Sequence, residues 1–150
     1  MSENARPAVL FVCVKNGGKS QMAAALMRQR AGDTVEVHSA GTRPGSALNA
    51  QSEASVIEVG ASMDGEHPKP IDPEVLARVN RVIVLGSEAQ VDPVPGMRAA
   101  IETWQTDEPS ERGIEGMERM RLIRDDIKAR VDALYGQLAR VTTVAHTTEE

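Results

Sequence analysis

The sequence predicts an α/β protein of three layers, in which a parallel sheet of about four strands is covered on both faces by helices. Three observations predict it. Two largely apolar runs, Ala8–Val12 and Arg81–Leu85, are bounded by turn residues and read as strands buried on both faces. Strand-like and helix-like stretches alternate along the chain, the order that lays strands parallel and puts helices on the faces of the sheet. The first strand also runs through a Gly-rich loop into a run of strong helix formers, which is how an α/β unit opens. The chain has 150 residues and reads as one domain, 1–150. That length buries a core without disulfides and leaves no room for a second catalytic domain.

After the strand at Ala8–Val12 and the loop Cys13 to Ser20, a helix is expected over Gln21–Arg30. Ser20 falls at its cap or first turn and Gly32 just past its end. Val35–Ser39 alternates like a short strand, and Ser52–Val59 reads as a helix stopped by Gly60. The stretch Glu66–Pro73 carries three prolines and is expected to be irregular. Pro73–Val79 follows as a helix, with Pro73 tolerated in its first turn. Arg81–Leu85 is ended by Gly86, Ser87–Met97 is a polar loop, and Ala99–Trp104 is a last strand. Beyond the polar loop Thr106–Gly113, the residues Ile114, Met117, Met120, Ile123, Ile127, Val131, Leu134 and Leu138 recur three or four apart. That spacing is the apolar stripe of a long amphipathic helix packed on the core. The ends, 1–6 and 141–150, are expected to be flexible.

Composition removes several functions. The net charge is −5, and the aromatic residues Phe11, Trp104 and Tyr135 make up 2% of the chain. Neither a basic surface for phosphate backbones nor a set of rings for stacking bases exists, so a nucleic-acid partner is not expected. The apolar run Ala8–Val14 is too short to span a bilayer and leads into a Gly-rich loop, not a cleavage site. Neither a membrane partner nor a signal peptide is expected. One cysteine, Cys13, forms no internal disulfide and no zinc site built from Cys pairs. His38, His67 and His146 adjoin no second ligand type at metal spacing, so no metal is expected. The chain reads as cytoplasmic.

The chemistry sits in Cys13-Val14-Lys15-Asn16-Gly17-Gly18-Lys19-Ser20, between the first strand and the first helix. Open α/β sheets bind ligands there, outside the carboxyl ends of their strands. Successive backbone N–H groups turned inward form an anion nest that the helix N-terminus reinforces. Gly17 and Gly18 permit close approach, Asn16 tolerates the left-handed conformation, and Lys19 adds a cation. A tetrahedral oxyanion fits such a loop. The same field is expected to lower the pKa of Cys13 from its ordinary value of about 8.5 and make it a nucleophile. A buried single cysteine is more often an inert small hydrophobe, but this one opens a loop of Gly, Asn, Lys and Ser. A nucleotide-binding reading fails on one residue: G-x-x-x-x-G-K-S needs Gly where this chain has Cys13.

With Cys13 after a hydrophobic strand, Asn16 at the fourth place and Lys19-Ser20 at its close, the loop resembles Cys-x-x-Asn-x-x-Arg-Ser. This is the pattern of the low-molecular-weight tyrosine phosphatase fold and its arsenate-reductase branch. The resemblance continues through Ser39-Ala40-Gly41-Thr42, the Pro-rich loop around Lys69, Val82–Leu85, and Trp104-Gln105-Thr106-Asp107-Glu108-Pro109 before the long helix. It implies a low-molecular-weight phosphatase-like fold. Three departures decide the branch. Lys19 replaces the family's Arg, a point charge where a two-pronged guanidinium is usual, which disfavours phosphate monoesters. Glu108 stands where phosphatases carry Asp as proton donor, and Ser110 and Glu111 replace the aromatic residues that follow the proline. The two further cysteines of self-contained arsenate reductases are absent; their places fall at Gly86 and about Pro93.

The resemblance is closest to the arsenate–mycothiol transferases. It implies that arsenate is the substrate, that no cofactor is bound, that mycothiol is a co-substrate taking the arsenic adduct, and that mycoredoxin then frees arsenite. By the resemblance Cys13 is the nucleophile. The N–H groups of Val14, Lys15, Asn16, Gly17, Gly18 and Lys19, with the Lys19 ammonium, hold the oxyanion. Asn16 fixes the loop, the Ser20 hydroxyl bonds the Cys13 sulfur, and Glu108, with Asp107 as the neighbouring alternative, supplies the proton for the leaving hydroxide. Lys15 attracts anions or is merely solvated, and Lys69 is read as a surface residue. Two other functions stay open at this point: a phosphatase acting on small or protein phosphomonoesters, and a non-catalytic oxyanion-binding or sensing module.

Overall fold

The computed structural model describes residues 6–149, with side chains described for 6–139. The elements run β1 (Ala8–Cys13), α1 (Lys19–Ala31), β2 (Glu36–Gly41), α2 (Ala50–Ile57), α3 (Pro73–Arg78), β3 (Arg81–Leu85), β4 (Ile101–Trp104) and α4 (Gly116–Glu149). A 3-10 turn, Pro109–Arg112, lies where a plain loop was expected. The loose ends expected at 1–6 and 141–150 lie, Arg6 apart, outside the residues whose side chains are described.

All four strands are parallel, in the order β2-β1-β3-β4. The chain leaves β1 toward β2 on one side and returns to β3 on the other. The carboxyl end of β1 is therefore the switch point of the sheet, where crossovers diverge and open a crevice. The register sets Cys13 opposite Gly41 and Leu85 opposite Trp104, so the functional ends share one edge.

Strand alternation divides the core in two. Val9, Phe11, Ile83, Leu85 and Trp104 belong to one layer with α1, α2 and α4, where Phe11 and Trp104 meet at 6.0 Å between ring centroids. Ala8, Leu10, Val12, Val82 and Val84 belong to the other, with Leu76 of α3 and Val79. From Met120 through Leu138 every member of the expected α4 stripe is buried. Each such side chain stabilises the fold by about 1.5–3 kcal/mol relative to exposure. Met117 is only partly buried, and Ile114 lies outside the helix. Gly113 and Gly116 both take positive φ, 80° and 67°, so α4 starts after Ile114.

Other boundaries moved for local reasons. α1 begins at Lys19 with Gly18 at its cap and no side chain capping it, so Ser20 lies in the first turn and is not the cap. α2 begins at Ala50 because the Asn49 side chain accepts from the N–H of Ser52 at 2.8 Å. The proline loop is irregular as expected over 66–72, save one parallel bridge between Pro70 and Gly41, and Pro73 opens α3.

Candidate active site

Cys13 ends β1, and the next residues wind back on themselves before α1 begins. Asn16 adopts φ 54°, the left-handed conformation that Asn tolerates. Its N–H points at Cys13 Sγ at 3.3 Å, and the Ser20 hydroxyl lies 2.9 Å from the same sulfur. The Asn16 amide donates to Ser20 Oγ at 2.7 Å, so Asn16 orients the hydroxyl that meets the sulfur. The backbone N–H groups of Val14, Lys15, Gly17, Gly18 and Lys19 find no acceptor among the described residues. Together with the uncapped start of α1 they are a run of N–H donors without an acceptor of their own, as an anion nest requires.

The cradle is held from behind by residues far off in sequence. Gln21 is fully buried, and its amide donates to Asn16 O, Asn16 Oδ1 and His67 O, each at 3.2 Å. The N–H of Lys69 donates to Asn16 Oδ1 at 3.1 Å, and its ammonium reaches Ser39 Oγ at 3.3 Å and His67 O at 3.1 Å. Lys69, read from sequence as a surface residue, keeps a partly exposed side chain and also braces the loop. Gly41 completes the support: a Cβ there would sit 2.6 Å from Val14 O and 3.0 Å from the Asn16 backbone. Gly17 is confined likewise, by Ala47 O at 2.9 Å. The bracing role of Gln21, Lys69 and Gly41 is not announced by sequence, because each acts on a loop through contacts with residues distant along the chain.

A cleft of about 710 Å³ opens over Cys13, walled by Val14, Lys15 and Lys19 on one side and by Gly86, Asp107 and Glu108 on others. A second of about 540 Å³ lies beyond the loop and shares Lys15 and Lys19 with the first. Neither ammonium has an ion pair or hydrogen bond among the described residues. Both are thus available to an anion in the cleft. Gly86, where the resemblance puts a resolving cysteine, does line the cleft. Among the described residues no three of His, Cys, Asp or Glu converge as a metal would require.

The two acid candidates reach the cleft in a different state from the one expected. Arg119 grips Glu108 with two prongs, at 2.8 and 3.2 Å, and Ser110 Oγ donates to the same carboxylate at 2.6 Å. The Arg119 guanidinium, then the Ser110 hydroxyl, hold the Glu108 pKa down to about 2. Asp107 is paired in the same way with Arg112, at 2.8 and 3.1 Å, which lowers its pKa too. Both are carboxylates at neutral pH. A general acid must carry a proton when the leaving group departs, and these pairings favour the ionised form of both carboxyls.

A cysteine at the end of the central strand, beside backbone N–H groups and two lysine ammoniums that have no partner among the described residues, is an arrangement suited to holding an oxyanion in an α/β protein. Residues 8–144 match the family model for low molecular weight phosphotyrosine protein phosphatase, and the chain belongs to that family. A putative arsenate reductase of Halobacterium salinarum is 31% identical, over 85% of this chain and 89% of that one. An arsenate reductase of Bacillus licheniformis is 30% identical, over 82% and 91%. Among solved structures, a thioredoxin-dependent arsenate reductase of Corynebacterium glutamicum superposes with a TM-score of 0.76 at 30% identity. It is matched over 92% of this chain, which spans only 64% of its length. The architecture is low-molecular-weight phosphatase-like, as the loop pattern implied.

Proposed function

We propose that the chain is an arsenate reductase that works by transfer, handing its arsenic adduct to an external low-molecular-weight thiol. The observation that carries this is the single Cys13 under the N–H row, in a sequence with no second thiol to resolve an adduct. The similarity to arsenate reductases supports the substrate. In the first step the Cys13 thiolate attacks arsenic, an As–O bond breaks, and the departing oxygen takes up protons and leaves as water. The N–H groups of Val14 to Lys19 and the Lys19 ammonium hold the charge on the remaining oxygens. In the second step the external thiol attacks arsenic and returns Cys13 as thiolate, with no change in oxidation state. Reduction comes afterwards, when a redoxin thiolate attacks the thiol sulfur, forms a mixed disulfide and releases arsenite with the electron pair. Mycothiol and mycoredoxin are the pair we assign, which places the reaction in a reducing cytoplasm.

Arsenate-dependent NADPH oxidation tests the assignment, with the protein supplied in turn with mycothiol and mycoredoxin, thioredoxin, or glutathione and glutaredoxin. Turnover with the first relay alone is expected. Turnover with thioredoxin alone would contradict the single-cysteine argument. Silence in all three would return the chain to the phosphatase or sensing alternatives.

A further inference from the structure

Glu108 occupies the wall of the Cys13 cleft and is held there by an arginine and a hydroxyl. The pair is built for holding: Arg119 comes from the first turns of α4 and meets Glu108 with two prongs, while the Glu115 carboxylate acts on the same guanidinium at longer range. Ser110, in the turn that follows, donates to the same carboxylate and adds a third bond. The other charged groups lining this cleft are Lys15, Lys19, Glu88 and Glu111, with Asp107 beside Glu108 and Arg112 behind Asp107.

The two substrates open to such a cleft differ in their need for a proton. With a phosphate monoester, Cys13 attacks phosphorus and the P–O bond to the alcohol breaks; the alcohol oxygen must take a proton or leave as an alkoxide or phenoxide. Water then hydrolyses the cysteinyl phosphate, regenerating the thiolate and releasing phosphate. With arsenate, the group displaced is one of the anion's own hydroxyls, and the oxyanion carries ionisable protons of its own near neutral pH. A missing acid therefore burdens ester hydrolysis far more than arsenate transfer.

We propose that Arg119 is a positioning residue that sets specificity: by keeping Glu108 ionised, it silences hydrolysis of phosphate monoesters with poor leaving groups. The residual phosphatase chemistry of this cleft is latent and blocked at one ion pair. The inference takes from the proposed function only that Cys13 is the nucleophile.

The test is Arg119→Gln, which keeps a polar side chain of similar reach without the charge, assayed on phenyl phosphate and nitrophenyl phosphate from pH 5 to 7. Phenolate is a poor leaving group, with a conjugate acid near 10, and needs the acid; nitrophenolate needs it much less. A positioned acid contributes about 10²–10⁴-fold, so kcat for phenyl phosphate at pH 5 should rise by at least about tenfold. The gain should be much smaller for nitrophenyl phosphate and should fade as pH climbs past the ordinary carboxylate range. Adding Glu108→Gln should remove it. No gain on phenyl phosphate, an equal gain on both esters, or a gain that survives Glu108→Gln overturns the proposal. Titration of the Glu108 carboxyl carbon by NMR in the unaltered protein gives a check independent of any variant. A midpoint near 2 supports the proposal, and one at the ordinary glutamate value overturns it. A silent thiol relay alongside a phosphatase gain would sink the transfer reading and leave the role of Arg119 standing; an active relay with no gain would do the reverse.

Discussion

Lys19 and Gly41 show what single side chains decide in this cleft. Lys19 offers phosphate a point charge where a guanidinium would make two parallel bonds, so Lys19→Arg is expected to raise turnover of nitrophenyl phosphate severalfold; an unchanged rate in a steady-state assay would remove that argument. Gly41→Ala puts a methyl 2.6 Å from Val14 O, against backbone that has no rotamer to escape into. Phosphate binding followed by calorimetry should be lost, with a stability cost of about 1–3 kcal/mol from overpacking. The residues that act through their own chemistry, Cys13, Asn16 and Ser20, were legible in sequence because their signals lie within eight consecutive positions. Those that act by bracing were not. Lys69 meets Asn16 across 53 residues and Gln21 meets His67 across 46, and nothing local announces either contact. Glu108 was legible as a cleft residue but its pairing was not, since its partner Arg119 lies beyond two glycines and an intervening turn.

Elements are joined here by a few charged contacts over an apolar seam. Arg124 of α4 is buried, donating to Ser55 O at 2.9 Å and to Glu58 at 2.8 Å, and so ties α4 to α2. Its removal strands a buried carbonyl, so Arg124→Ala is expected to cost at least about 1–3 kcal/mol in urea unfolding, whereas the exposed neighbour Arg121→Ala should cost well under that. The strands and α4 were readable because apolar runs and a helical period are local signals. The start of α2 was not, because its cap, Asn49, lies outside the apolar pattern that marked the helix. The start of α1 was misplaced by two residues for a functional reason. Sequence rules look for a capping side chain, and this helix leaves its cap to Gly18, with its first N–H groups free for a ligand.

At the scale of the molecule, acid is the expected point of failure. Glu36, on β2, is held down to about 2 by Arg78 of α3 and by His38, and Glu58 is held at about 2 by Arg121 and Arg124. Glu108 adds a third such group. Each carboxylate protonates in the unfolded chain near its ordinary 4.5 but in the folded one only near 2. The stability they supply is whole above that ordinary value and is lost as pH falls toward 2. The melting temperature should therefore drop steeply from pH 5 to pH 2, and Glu36→Gln should lower it at pH 6 while flattening that slope. A slope unchanged in the variant would show that Glu36 contributes nothing to acid sensitivity.

The contact between Phe11 and Trp104 makes the protein its own optical instrument. Trp104 is the sole tryptophan, almost wholly shielded at 7% exposure, and the chain that leaves it forms the cleft wall at Gln105 to Glu108. Its emission is expected to be short in wavelength and poorly quenched by iodide, as for a shielded indole. An oxyanion that pulls on the wall one residue away is expected to shift the intensity of that emission, and loss of the core to move it to the red. Anion binding and unfolding can thus be followed in one cuvette without any added dye.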